Sequence, residues 1–301
     1  MRANMHSLYG ASPTHNSRLN QALHAAPWIK VQSVASFLVL AMCALFYQGV
    51  QAASNSVYLD DLTWTEVRDT LKKGTTTVII PVGGTEQSGP HMALGKHNVR
   101  VHALAGRIAE TLGNTLVAPV VSYVPEGRIS PPEGHMKFAG TISIPGDAFL
   151  AVLAGTARSL KQHGFLNIVF IGDHGGYQDL LKGEAQQLNR EWGNSKTRAH
   201  FISAYYRAAT DDFARTLESA GFHKEQIGVH AGLADTSLMM AVDPSLVRTE
   251  KLGSASADPT TSTGVAGNPA ESTAVLGRMG LDRIVEKSVQ SIRDSIAARP
   301  K

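Results

Sequence analysis

The sequence predicts an α/β fold, a three-layer α/β/α sandwich with a mostly parallel central sheet, on three observations. Four short apolar runs rich in β-branched residues recur along residues 53–301, with amphipathic helical stretches between them. The runs alternate little between apolar and polar residues, the pattern of strands covered on both faces. Two of them lead straight into turns dense in glycine, histidine and acid, and ligands in open α/β sheets sit beyond such strand ends.

Taken in order, Thr63–Lys73 reads as a helix with a Thr cap and a Gly74 stop. Thr75–Val82 (TTTVIIPV) is the first strand, closed by Gly83-Gly84. Val99–Leu112 spaces Val101, Leu104, Ala105 and Ile108 on one helical face and ends at Gly113. Thr115–Val121 is the second strand. Asp147–His163 gathers Phe149, Leu150, Leu153, Ala157 and Leu160 on a helix that ends at Gly164. Asn167–Gly172 is the third strand, and Tyr177–Trp192 the helix after it. His200–Tyr205 is a weaker fourth strand. Leu281, Ile284, Val285, Val289, Ile292 and Ile296 mark a C-terminal amphipathic helix. Gly253–Thr273, rich in Ser, Thr, Gly and Ala, reads as a long loop within the domain.

Composition narrows the function. With 43% hydrophobic and 18% charged residues the bulk of the chain is globular, not disordered. Residues 1–52 carry Arg2, Arg18 and Lys30 and no acid, and residues 53–301 carry 25 charges of each sign. No basic footprint for nucleic acid remains. The single cysteine, Cys43, lies in the first segment, so the rest has no thiolate ligand, cysteine nucleophile or internal disulfide. Val34–Tyr47 is an uncharged apolar run of 14 residues, short of the roughly 20 a bilayer span needs. Lys30 precedes it and Val50-Gln51-Ala52-Ala53 follows it, as in a secretory signal peptide. The expectation is a cleaved leader, 1–52, and one domain, 53–301, secreted or periplasmic and without stable membrane contact. An uncleaved anchor is the alternative.

The chemistry concentrates in four polar clusters: Gly83 to His91 with His97 and Asn98 after it, Glu133-Gly134-His135, Gly172-Asp173-His174-Gly175-Gly176, and His230 to Ser237. Five of the nine histidines beyond residue 52 fall inside them. Carboxylate and imidazole gathered at strand ends suit zinc, or a harder cation such as manganese. No dinucleotide or phosphate-loop glycine pattern accompanies them. Ser88 lacks the glycine two residues before it that a nucleophile elbow requires.

These residues resemble a known family. Pro81-Val82-Gly83-Gly84-Thr85-Glu86-Gln87-Ser88-Gly89-Pro90-His91 resembles the first signature of the creatininase (creatinine amidohydrolase) family, and Gly172 to Gly176 resembles its Asn-Gly-His-Gly-Gly-Asn turn. Phe138 to Ser143, His230 to Ser237 and Gly264 to Gly277 are similar to later motifs, so the likeness spans Leu59–Ile296 in order. It implies an α/β/α fold, a homo-oligomer that is often a hexamer, and hydrolysis of C–N bonds in small molecules with a divalent metal pair. Glu86 and His174 match first-metal ligands, and His97 falls where the family has a bridging Asp. Ser88 stands where a second-metal His belongs, Gly176 where creatininase itself has a Glu, and Asp235 and Val229 replace acids.

The expected protein is thus an exported, metal-dependent amidohydrolase acting on a cyclic amide, formamide or related small substrate. Glu86, His97 and His174 would hold one ion, zinc ahead of manganese; a second would be absent or held weakly by Asp235 and His91. Asp235 or Glu133 is the candidate base and His230 the candidate acid for the leaving nitrogen. Glu133 and His135 have an alternative role in ordering their loop. The rival reading is a periplasmic binding protein that kept this fold and lost hydrolysis.

Overall fold

In a computed structural model that describes residues 56–255 and 263–298, strands β1 (Thr77–Val82), β2 (Thr115–Val117), β3 (Asn167–Gly172) and β4 (Arg198–Phe201) form one parallel sheet in the order β2-β1-β3-β4. Every residue of the first three strands is buried. Period-two geometry sends Ile79, Val117, Val169 and Ile171 to one face and Val78, Ile80, Leu116, Ile168 and Phe170 to the other. Both faces are apolar because both are covered, which is why the runs do not alternate. The expected leader, its alternative as an anchor, and residues 256–262 of the expected loop lie outside the described residues.

Helices supply the outer layers. On one face α1 (Trp64–Lys72), α3 (Gly146–Gln162) and α4 (Gln178–Trp192) bury Phe149, Leu153, Ala157, Leu181 and Leu188 against the sheet. On the other face α2 (Lys96–Leu112) contributes Val101, Leu104 and Ile108. Beside it lie α5 (Ser203–Arg207), a π-helical turn at Ala208–Asp212, and α6 (Phe213–Ser219). A single turn, α7 (Lys224–Ile227), leads to α8 (Leu233–Val242), which packs on the long α9 (Ala274–Ala297). Gly277 lets α9 come so close that an added Cβ would meet the Ser237 carbonyl oxygen at 1.9 Å.

The expected strands and helices shift in instructive ways. β2 stops at Val117, not Val121, because Pro119 has no N–H for the ladder. The fourth strand is Arg198–Phe201, and the chain is helical from Ser203, so Tyr205 belongs to α5. A short apolar run does not separate strand from helix by periodicity, and Tyr205 is drawn into the helix side by a buried bond to Asp173. Helix α2 begins at Lys96, three residues before the expected Val99.

Candidate metal centre

The strand order reverses between β1 and β3, so their C-terminal ends, Val82 opposite Gly172, form a switch point where a crevice opens. Tyr177 ties these ends together. Its buried hydroxyl accepts from the Asp173 and His174 amides at 3.1 and 3.0 Å and lies 2.6 Å from the Gly83 carbonyl oxygen, to which it donates. The turn after β1 then delivers Glu86, the first two turns of α2 deliver Lys96, His97 and Arg100, and the turn after β3 delivers Asp173 and His174.

Glu86 is the hub. It is fully buried, and four imidazoles converge on it. His97 Nε2 lies 2.7 Å from Oε1, and His230 Nδ1 lies 3.7 Å from the same oxygen. His135 Nε2 and His174 Nε2 lie 3.2 and 3.4 Å from Oε2. Two sets of three place ligand atoms within 4.8 Å of one another: Glu86, His97 and His174, and Glu86, His135 and His230. Burial alone would raise the Glu86 carboxyl, but the His97 hydrogen bond, with Lys96 and His174 nearby, holds it well below the usual carboxylate range. Burial pushes His174 down to about 4 and His230 down to about 3, so both are neutral at physiological pH, the form that ligates a metal.

Around the hub stands a charged second layer. Asp173 accepts from His97 Nδ1 at 2.6 Å, from Arg100 Nη2 at 2.6 Å and from the Tyr205 hydroxyl at 2.6 Å, and so fixes the His97 ring. Asp235 takes Arg100 Nη1 on Oδ1 at 2.7 Å, and Lys96 Nζ and the Ala231 amide on Oδ2 at 2.5 and 3.0 Å. Ala231 reaches that contact with a φ of 54°, in the left-handed region. Glu126 was not anticipated. It comes from the loop after β2 to lie 3.4 Å from His174 Nδ1, fitted beside Gly84, whose φ is 151° and whose added Cβ would meet its carboxyl at 2.5 Å. Burial, then the Glu86 charge, pushes Glu126 up to about 9.

A cation fits this chemistry. Glu86 Oε2 and both Glu126 oxygens are buried without a hydrogen-bond partner, and unsatisfied buried carboxyl oxygens are costly. Nitrogen and oxygen donors around them are the set that zinc or manganese takes.

Of the residues expected from sequence, the structure brings together Glu86, His97, His174 and His230, with His135 beside them. Asp235 lines the same pocket, but its oxygens are engaged by Lys96 and Arg100 and it belongs to neither ligand set. His91 turns its Nε2 to Thr236 Oγ1 at 2.9 Å, away from both sets. Glu133, expected as a base, is exposed and paired with Arg128 outside the pocket lining. The Ser88 hydroxyl is buried with no hydrogen-bond partner among the described residues. Sequence reasoning missed Lys96, Arg100 and Glu126; Lys96 and Arg100 carried a signal, two cations one turn apart at a helix start, where the dipole disfavours them.

The pocket above the hub holds about 460 Å³ and is walled by Tyr206, Thr210, Asp211, Ile227, Val229 and Leu238 among others. A buried carboxylate ringed by four imidazoles at the switch point of an α/β/α sandwich is the centre of a metal-dependent hydrolase. The profile of the creatininase family, described as creatinine amidohydrolase, matches residues 60–292. The chain belongs to the creatininase family.

Its relatives agree. A mycofactocin precursor peptide peptidase of Mycobacterium ulcerans is 28% identical over 72% of this chain and 84% of its own. A creatinine amidohydrolase of Pseudomonas putida is 28% identical over 66% of this chain and 76% of its own. Among solved structures, a creatinine amidohydrolase has a TM-score of 0.68 at 25% identity and covers 82% of this chain and 100% of its own. A Mn form of creatininase has a TM-score of 0.65 at 26% identity, covering 80% and 99%. A mutant creatininase of Zn-Zn type has a TM-score of 0.65 at 25% identity, covering 81% and 99%.

Proposed function

We propose that this chain hydrolyses a C–N bond of a cyclic amide, formamide or related small amide, with a divalent ion held by Glu86, His97 and His174. One observation carries the reading: buried, unpartnered Glu86 Oε2 faces imidazoles that are neutral at working pH. Zinc stands ahead of manganese for a site of two imidazoles and one carboxylate, and both metals occur in the names of related creatininase structures. Such an ion supplies Lewis acidity, polarising the scissile carbonyl and acidifying water.

The chain's own groups do the rest. His230, neutral and with Nδ1 toward Glu86, accepts a proton from the attacking water and returns it to the departing nitrogen. Its Nε2 lies 3.0 Å from the Gln87 carbonyl oxygen, which takes the Nε2 proton and leaves Nδ1 open. Asp173 and Arg100 hold His97 in register, and Asp235 holds Lys96 and Arg100. A pocket of about 460 Å³ accommodates a small molecule or the end of a peptide. The peptide reading draws on the peptidase relative.

Residues 1–52 we read as an export signal, which puts the reaction outside the cytoplasm; the mass of the protein from its own host tests this, since a retained Cys43 means an anchor. For the activity, metal-free protein reloaded with Zn²⁺ or Mn²⁺ is offered lactams, formamides and short peptides, beside His174→Ala. Turnover that needs both the metal and His174 is expected. Metal bound with no turnover on any class favours the binding-protein reading instead.

A further inference from the structure

We propose that the centre takes one divalent ion, and that Lys96 supplies as a fixed ammonium the positive charge a second ion would bring. The inference deepens the metal-dependent reading and rests on it.

The ligand supply points to one ion. The two ligand sets share a single carboxylate, Glu86, so two ions would both depend on it. Among the described residues no other acid belongs to either set. Asp173 is saturated by His97, Arg100 and Tyr205, and Asp235 by Lys96, Arg100 and the Ala231 amide. Glu126 lies behind His174, on its Nδ1 side. His97 gives its Nδ1 proton to Asp173 and has one lone pair left, at Nε2, and one lone pair does not bridge two cations.

Gln87 braces the imidazoles of His135 and His230 on the side away from Glu86. Its Oε1 accepts from the Gly89 amide at 3.0 Å and its Nε2 donates to the Gly264 carbonyl at 2.9 Å, so the carboxamide cannot be flipped. The same Nε2 lies 3.1 Å from His135 Nδ1 and 3.0 Å from His230 Nε2, and His230 Nε2 lies 3.0 Å from the Gln87 carbonyl oxygen.

Charge points the same way. Lys96 is completely buried, with Nζ 2.5 Å from Asp235 Oδ2 and 3.7 Å from Glu86 Oε1, the oxygen that also faces His97 and His230. Held at the first turn of α2, this ammonium has no solvent to retreat to. Even counting every acid as ionised, Glu86, Glu126, Asp173 and Asp235 face Lys96 and Arg100. One divalent ion closes that balance. A second leaves two positive charges in excess in a buried site, where they are poorly screened. The Zn-Zn form of the related creatininase marks what this chain departs from.

The test titrates metal-free full-length protein with Mn²⁺, counting bound ion by elemental analysis and reading spin coupling by EPR. Wild type is expected to bind one Mn²⁺ per chain with the spectrum of an isolated ion. Lys96→Met, or Lys96→Gln if that variant does not fold, is expected to take up a second ion and show exchange coupling. Two coupled ions in the wild type overturn the proposal. So does a Lys96 variant that binds one ion with wild-type affinity. No bound Mn²⁺ in the wild type overturns the metal reading itself, and the proposal with it.

Discussion

Burial moves His174 and His91 down to about 4, His230 to about 3, and Glu126 up to about 9, each toward its uncharged form. Each shift is also a statement about stability without metal. For the three histidines the unfolded chain binds protons more readily than the folded one, so their stabilisation is present above about 6.5 and is lost as pH falls toward 4. Glu126 has the opposite sign: its contribution is present below about 4.5 and is lost as pH rises toward 9. Melting temperatures in EDTA are expected to fall on both flanks, and Glu126→Gln to raise the alkaline flank while leaving the acid one in place. An alkaline flank that Glu126→Gln does not alter would assign it to another group. His230→Ala is expected to keep its metal and lose about 10²–10⁴-fold in turnover, the usual worth of one acid–base group. Elemental analysis and kinetics on one preparation check it, and unchanged turnover removes His230 from the reaction. The residues that gather at Glu86 were legible from sequence because short spaced motifs sit at strand ends. Glu126, in Val124-Pro125-Glu126-Gly127, has no local companion, and its place beside His174 exists only once the loop after β2 folds over Gly84.

At the scale of elements, the sequence resolved the buried strands of the sheet centre and the helices with one apolar stripe. β3 matches its expected bounds residue for residue. The start of α2 was hidden because Gly95 offers no side-chain cap and the first turn is cationic, against the helix dipole. The carboxylates Glu86, Asp173 and Asp235 reverse that penalty, but they arrive from three distant parts of the chain. Helix α8 was hidden for another reason: its residues are apolar almost all round, so no stripe shows. Tyr177 makes the most testable inter-element link. Tyr177→Phe strips a partner from the buried Asp173 and His174 amides and the Gly83 carbonyl, and is expected to cost about 1–3 kcal/mol for the groups left unpaired. Urea denaturation measures the loss. A change within a few tenths of a kcal/mol would mean the strand ends do not need the clamp.

For the whole molecule, metal and fold are coupled, because an ion that binds only the folded chain stabilises it by mass action. At free Zn²⁺ a thousand times Kd the gain is about 4 kcal/mol, and a chelator should remove it. Thermal melts with and without Zn²⁺ are expected to differ for wild type and to coincide for His174→Ala; a metal-induced shift that survives in the variant would place the ion elsewhere. The parallel sheet makes this coupling long-ranged in sequence. Glu86, Glu126, His174 and His230 are separated by tens of residues and meet only when β1 and β3 are paired. Lys96 adds a consequence of a different kind. A charge attached to the backbone is delivered at translation and is present at every free-metal concentration. With the second positive charge so supplied, rate should rise with the first power of free Mn²⁺ at low concentration and saturate hyperbolically. A centre assembled from two diffusing ions would instead give a lag and a second-power rise. The buried lysine thus makes the enzyme's dose–response to metal graded rather than thresholded, and lets it run at metal levels where a two-ion centre would be mostly half-filled.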